Sequence, residues 1–187
     1  EVRAAAELFK TRGLESVFVG FLFAFLNDTH EKRAVEIIKD VIPDAFVCAS
    51  SEVVNVIREY ERFSSTAMNA YIGPKTNLYL RRLESRLHEN GVSATVRIMQ
   101  SNGGISTLDQ SVKRPIGVLL SGPAAGVIGG RWTGGHCDTG NVITIDIGGT
   151  SADISVIQDG QLRTKNPRDT EVAGLPVLAP MIALLFM

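Results

Sequence analysis

The sequence predicts an α/β protein, and three observations carry that prediction. The first fifty residues run helix, strand, helix, strand, an order that argues for a parallel sheet flanked by helices. Further on, Val142–Ile147 and Ile154–Ile157 are two β-branched runs separated by a short polar turn, which is the pattern of a hairpin. The chain of 187 residues is 44% apolar and 21% charged, as expected of one folded core, or of one core and part of another.

Each element has a local cause. Ala4–Arg12 reads as a helix stopped by Gly13. Ser16–Phe23 belongs to the most apolar stretch, Val17–Leu26. That stretch is short of the roughly 20 residues a membrane span needs, so a strand buried on both faces is expected. Asn27 or Asp28 caps a helix over Thr29–Val41, which ends before Pro43. Ala45–Cys48 is a short strand, and Ser50 or Ser51 caps a helix over Glu52–Glu61. Ser64 or Ser65 caps another helix reaching about Asn90, which Gly73–Pro74 should kink or divide because proline lacks the donor. Gly91 stops it.

The rhythm then changes, and a boundary near Ser93 separates an α/β subdomain, 1–92, from a second subdomain, 93–187. Val96–Met99 is a strand, Gln100–Gly104 a polar loop, Leu108–Val112 a short helix and Ile116–Leu120 a strand. Pro123 suits the first position of a helix over Ala124–Trp132. Asp159–Gly160 is a hairpin turn signal, so Gln161–Thr164 is expected to form a third strand.

Bulk properties exclude some functions. Net charge is −1 with no basic block, which argues against nucleic acid as a partner. Nothing reads as a membrane segment. The two cysteines, Cys48 and Cys137, make no disulfide framework and fit a reducing cytoplasm. There is no GxxxxGK[ST] loop, HExxH helix or GxSxG elbow.

The turn Gly148–Gly149–Thr150–Ser151 carries the main chemical signal. Glycines let an anion approach the main chain, successive N–H groups form a concavity for it, and two hydroxyls add donors. Asp146 and Asp153 bracket the turn and suit a hydrated Mg²⁺, which takes a few carboxylates plus phosphate oxygens. The alternative is an ordinary Gly-turn hairpin. Ser121–Gly126 opens a helix whose N-terminus could take an anion, or whose small residues serve close packing. Gln100–Gly104, with Asn102 and Gly103, could orient a ligand or be a solvent turn. His136–Cys137–Asp138 reads as a surface loop, since no second ligand cluster accompanies it.

Four stretches together resemble one family. DIGGTSADISVI resembles the second phosphate hairpin of the actin-like and sugar-kinase nucleotide-binding fold. REYERFSSTAMNAYI (Arg58–Ile72), IMQSNGGI (Ile98–Ile105) and LLSGPAAGVIGG (Leu119–Gly130) narrow the resemblance to the hydantoinase A/5-oxoprolinase family. What the resemblance implies is an actin-like, ribonuclease H-like ATPase fold of two subdomains, present here incompletely. It implies ATP and Mg²⁺ as cofactors, a small cyclic amide as substrate, a second hydantoinase B-type subunit or domain as partner, and an oligomeric, cytoplasmic enzyme. Asp146 and Asp153 would be the catalytic and metal-binding residues. Gly148, Gly149, Thr150, Ser151, Ser121, Gly122, Gly126, Asn102 and Gly103 would bind the nucleotide. A ketone carboxylase subunit and a non-catalytic domain of the same fold are the alternatives.

The sequence also departs from that family. A first Asp–Gly–Gly–Thr hairpin is absent, and Ala183–Met187 is apolar where the family continues with polar and Gly-rich segments. The expectation is a central piece carrying half of a nucleotide cleft, with an exposed apolar tail.

Overall fold

The computed structural model describes residues 1–149, 151–166, 170–172 and 174–186. In chain order the elements are α1 (Val2–Thr11), β1 (Ser16–Val19), α2 (Thr29–Val41), β2 (Phe46–Ala49), α3 (Ser50–Val53), α4 (Glu59–Glu89), β3 (Arg97–Met99) and β4 (Ile105–Thr107). There follow α5 (Leu108–Lys113), a 3₁₀ turn (Pro115–Val118), α6 (Ser121–His136), β5 (Val142–Ile147), β6 (Ala152–Gln158), β7 (Gln161–Leu162) and β8 (Thr164–Lys165). Last come β9 (Glu171–Val172), β10 (Leu175–Pro176), β11 (Met181–Ile182) and β12 (Leu185–Phe186).

The fold is mixed α/β, but its parallel part is small. Only β1 and β2 pair in parallel, with Ser16 opposite Phe46 and Val19 opposite Ala49. Every other described pairing is antiparallel. The cause is connection length: a parallel pair needs a crossover such as α2, whereas the later strands are joined by short turns. The largest sheet runs β12–β6–β5, with β7 also on β6.

Three apolar clusters hold these layers. Ala6, Val19, Ala34, Ile38, Val41 and Val47 join α1 and α2 to the parallel pair. Cys48, Val53, Ala70, Ile116, Val177 and Met181 form a second cluster, which draws on both sides of residue 93. Ala124, Val127, Ile157, Ile182 and Leu184 seat α6 on the antiparallel sheet.

Several expected elements differ, each for a tertiary reason. β1 stops at Val19 rather than Phe23, because the Phe63 ring lies where a side chain at position 20 would stand, 2.6 Å from an ideal Cβ. The Phe21 main chain is also taken, its N–H by Glu31 and its carbonyl by Arg62. The helix expected over Glu52–Glu61 is reduced to the single turn α3. Arg62 donates to the Val56 carbonyl at 3.1 Å, holding that segment extended. Conversely, α4 runs 31 residues straight through Pro74. Gly73 is pressed by the Phe46 ring of β2 at 2.5 Å from an ideal Cβ, so packing against the sheet holds the helix where its own bonds are weakest. Arg62, Ser64, Thr66, Asn69 and Tyr71, which the expected helix boundary places at a junction of two helices, therefore lie inside one helix; Arg62, Thr66 and Asn69 are buried, Ser64 is half-buried and Tyr71 is exposed.

The strand expected over Ile116–Leu120 is the 3₁₀ turn and a strap leading into α6. α6 starts three residues before Ala124 and ends four after Trp132. Gln161–Thr164 divides between β7 and β8. The described part of the apolar tail is ordered by pairing: β12 pairs with β6, Leu185 opposite Ile154, and Leu184 is buried while the Leu185 side chain is exposed.

Two features give predictions here. Burial pushes the Cys48 thiol up to about 11, while Cys137 is exposed. A thiolate is the reactive form, so a native thiol assay is expected to count one cysteine and a denatured assay two. Second, β5 is the terminal strand of its sheet among the described residues. Ile143, Ile145 and Ile147 are 66%, 60% and 77% exposed on its outer face. An apolar edge without lysine, proline or a bulge invites pairing. The chain is expected to self-associate as its concentration rises, and Ile145→Lys to lower the sedimentation-average mass.

Candidate functional site

The hairpin forms in the register its sequence sets. Val142 pairs with Ile157 and Ile147 with Ala152. Val142 and Thr144 turn inward on β5 while the isoleucines turn outward, so Asp146 falls on the face that carries α6. The turn closes with the Gly148 N–H donating to the Ser151 carbonyl at 2.9 Å. One of the amides expected to face an anion is therefore spent within the turn. Thr150 lies outside the described residues.

Asp146 and Asp153 stand directly opposite each other across the two strands. Alternation from the Gly148–Ser151 bond makes them a hydrogen-bonded pair, about 5.5 Å apart at Cα. Like charges in that position oppose folding. Asp146 is exposed, Asp153 is half-buried, and Asp153 Oδ1 is shielded from solvent with no hydrogen-bond partner. The second fact is unusual for a buried polar atom. Two carboxylates, one with an unused buried oxygen, are a hard oxygen donor set of the kind Mg²⁺ takes when phosphate and water complete its shell. Among the described residues no group of three His, Cys, Asp or Glu gathers anywhere, so the protein offers two carboxylates at the hairpin and no third ligand of that kind. His136 Nδ1 is paired with the Trp132 carbonyl at 2.9 Å, and its ring lies 4.1 Å from the Trp132 ring.

α6 crosses this hairpin closely. Ideal Cβ atoms on Gly130 and Gly134 would stand 2.3 Å from Thr144 Cγ2 and 2.6 Å from Val142 Cγ2. Four helical residues rise ~6 Å and two strand residues ~6.6 Å, so helix and strand keep step in opposite directions. The close contact itself is confined to Gly130 and Gly134; continued at the same step, Gly126 would come level with Asp146 and Gly122 with the Gly148 turn. The space there is open: a Cβ at Gly122, Gly126 or Gly149 would meet nothing within 4 Å, and one at Gly148 only the Ser151 carbonyl at 3.6 Å. Ser121 is half-buried, and no side chain caps the helix.

Asn102 and Gly103 behave differently. Asn102 Oδ1 accepts the Gly104 N–H at 2.9 Å, a local turn. Its side chain lines a cleft of about 2000 Å³ together with Asn77, Arg81, Gln100 and Lys113; neither the hairpin nor the start of α6 contributes to that wall. Gly103 has φ +81°, and an ideal Cβ there would stand 2.9 Å from Ile128 and 3.0 Å from Ile182. Glycine is required there so that α6 can pack. The sequence placed Ser101 in the polar loop Gln100–Gly104 and Leu120 at the end of a strand, and assigned neither a role at the start of α6. Ser101, 2% exposed, sits inside the IMQSNGGI stretch. Leu120, just before α6, has φ +58° and ψ +22°, a left-handed conformation uncommon outside glycine.

Comparison with known proteins fits this geometry. The chain is 34% identical over 181 residues to the caprolactamase subunit alpha of Pseudomonas jessenii, spanning 97% of this chain and 26% of that protein. Among solved structures, nucleotide-free acetone carboxylase superposes with a TM-score of 0.86 at 26% identity, covering all of this chain and 26% of that one. The ATP-dependent caprolactamase of Pseudomonas jessenii superposes with a TM-score of 0.85 at 32% identity, covering all of this chain and 27% of that one. The chain thus spans about a quarter of the length of these proteins. The family model described as Hydantoinase/oxoprolinase matches residues 62–185, more than half of the sequence and all of the hairpin and α6, and the chain belongs to that family.

Proposed function

We propose that this chain is the phosphate-holding part of an ATP-dependent cyclic-amide hydrolase with an actin-like nucleotide-binding fold. The observation that carries the reading is the pair of facing carboxylates, one with an unpartnered shielded oxygen, beside a glycine turn with open space around Gly149. In this reading the amides of Gly149 and of the first turn of α6, with the Ser151 and Ser121 hydroxyls, hold phosphate oxygens. Asp146 and Asp153 hold Mg²⁺, which when bound neutralises phosphate charge. Gly122 and Gly126 keep the space clear. Thr150 is assigned to the same turn from its sequence position. Asn102 and Gly103 are assigned to the loop's own geometry and to packing.

The chemistry needs ATP because an unstrained amide is a poor electrophile. The amide oxygen attacks the γ-phosphorus, the bond to ADP breaks, and the activated carbon then accepts water. Loss of phosphate and cleavage of the ring C–N bond complete the hydrolysis. The protein's part is positioning and electrostatic stabilisation of the phosphates. Residues 1–92 and 93–187 are read as two subdomains, and a second subunit as the source of further substrate contacts.

Isothermal titration of the chain with Mg·ATP tests the reading. Saturable heat supports it; no heat at millimolar nucleotide leaves a non-catalytic domain of this family. The superposition on acetone carboxylase favours a second reading, a carboxylase subunit. Assaying a longer protein carrying this segment separates the two: the hydrolase turns over ATP with a lactam or hydantoin alone, the carboxylase only with a ketone and bicarbonate.

A further inference from the structure

The Ser101 hydroxyl lies beside the strap between α5 and α6, whose local bonds are the Gly117 N–H to the Arg114 carbonyl at 3.1 Å and the Leu119 N–H to the Ile116 carbonyl at 3.4 Å. The strap runs from the 3₁₀ turn through Leu119 to Leu120 and is not part of any sheet. Its Gly117 and Leu119 carbonyls are met by Ser101, from the loop of residues 100–104. The Ser101 N–H donates to the Gly117 carbonyl at 2.8 Å, and Ser101 Oγ reaches the same carbonyl at 2.9 Å and the Leu119 carbonyl as well. Its own carbonyl accepts the Ile182 N–H at 2.9 Å, tying the loop to β11. Gln100 Nε2 donates to Ser106 Oγ at 2.6 Å, and Gln100 Oε1 would stand 2.4 Å from a Cβ at Gly117. The strap is therefore pressed and pinned from one side.

We propose that Ser101 is a positioning residue that fixes the N-terminus of α6. Leu119 is the residue before Leu120, whose left-handed backbone launches the helix, and the first helical bond is Ala124 N–H to the Leu120 carbonyl at 3.1 Å. A left-handed leucine costs energy and persists only where its surroundings impose it. No side chain caps α6; Ser101, with its N–H on the Gly117 carbonyl and its hydroxyl between the Gly117 and Leu119 carbonyls, holds the peptides that precede the helix. Ser101 touches no reacting group. It acts by setting the direction of the free N–H groups at Ser121 and Gly122. The consequence for nucleotide rests on the phosphate reading above; the positioning does not.

Hydrogen exchange on the full chain, without nucleotide, tests the positioning. Ser101→Ala is expected to speed exchange of the 119–125 amides by about tenfold or more, with α4 unchanged. Ser65→Ala is the matched control. It removes another buried hydroxyl, one that accepts the Leu178 N–H at 2.8 Å, and should leave the 119–125 amides at wild-type rates. Ser101→Thr, which keeps the hydroxyl, should restore protection. Uniform acceleration over the whole chain, or none, overturns the proposal. In a second arm, Mg·ATP affinity should fall about tenfold in Ser101→Ala and stay unchanged in Ser65→Ala. Equal affinity in Ser101→Ala and wild type, where wild type binds, counts against the proposal. A wild-type chain that binds no Mg·ATP but shows the selective exchange change keeps the positioning role and removes the phosphate reading.

Discussion

Asp146→Asn is expected to weaken Mg·ATP binding by more than about 100-fold, or ~2.7 kcal/mol, and at the same time to raise the melting temperature. The two effects have one cause. Asp146 faces Asp153 across the hairpin, and opposite like charges in an antiparallel pair cost stability. Asparagine keeps the shape and removes the repulsion, so the strand pair gains by up to about 1 kcal/mol, or ~2–4 °C for a chain of this size. The same change removes half of the charge available to a divalent ion and leaves Asp153, with its unused Oδ1, as a lone ligand. An ordinary hairpin gives the gain in stability without the loss of affinity. Calorimetric titration and thermal denaturation of the same preparation read both. Unchanged affinity with higher stability would reduce the pair to a strained surface feature. The stability gain should shrink at high salt, where exposed charges are screened.

The hairpin was legible, its first strand to the residue and its second short by two residues at the start and one at the end, because its information is local: β-branched residues, a turn of small residues, and two strands too close in sequence to pair in any other way. α2 was legible for the same reason: its apolar stripe lies inside thirteen residues, and Asn27 Oδ1, just before them, accepts the Thr29 N–H at 3.1 Å. What was not legible depends on partners far away in the chain. The helix expected after Ser51 is lost because Arg62 takes the Val56 carbonyl. The strand expected before α6 is lost because Ser101 takes the carbonyls of Gly117 and Leu119. Glu31 looked like one more charge on a helix opening in Thr–His–Glu–Lys–Arg, yet it is fully buried. At the site, the sequence grouped Asn102 and Gly103 with the nucleotide residues. Side-chain direction, which no motif encodes, turns Asn102 into a separate cleft and makes Gly103 a seat for Ile128.

That buried glutamate gives the largest expected loss of stability. Glu31 Oε1 accepts the Phe21 N–H at 2.8 Å and the Ser50 hydroxyl at 2.6 Å, while Oε2 accepts the Ser51 N–H at 2.9 Å and its hydroxyl at 2.7 Å. The carboxylate thus joins the end of β1, the start of α2 and the start of α3. The Phe21 carbonyl passes the connection on to Arg62, itself fully buried. Glu31→Ala would leave four donors facing a void. The two hydroxyls can turn to other acceptors, but the Phe21 and Ser51 N–H groups cannot. Each orphaned buried donor costs about 1–3 kcal/mol, so a loss of about 3–4 kcal/mol is expected, roughly 10 °C in melting temperature. Glu31→Gln should recover only part of this. Whichever way the amide is turned, its NH₂ meets one of the two fixed backbone N–H groups, donor against donor. A glutamine variant as stable as wild type would show that charge and acceptor count at this position do not matter, and that the three elements are joined by apolar packing alone.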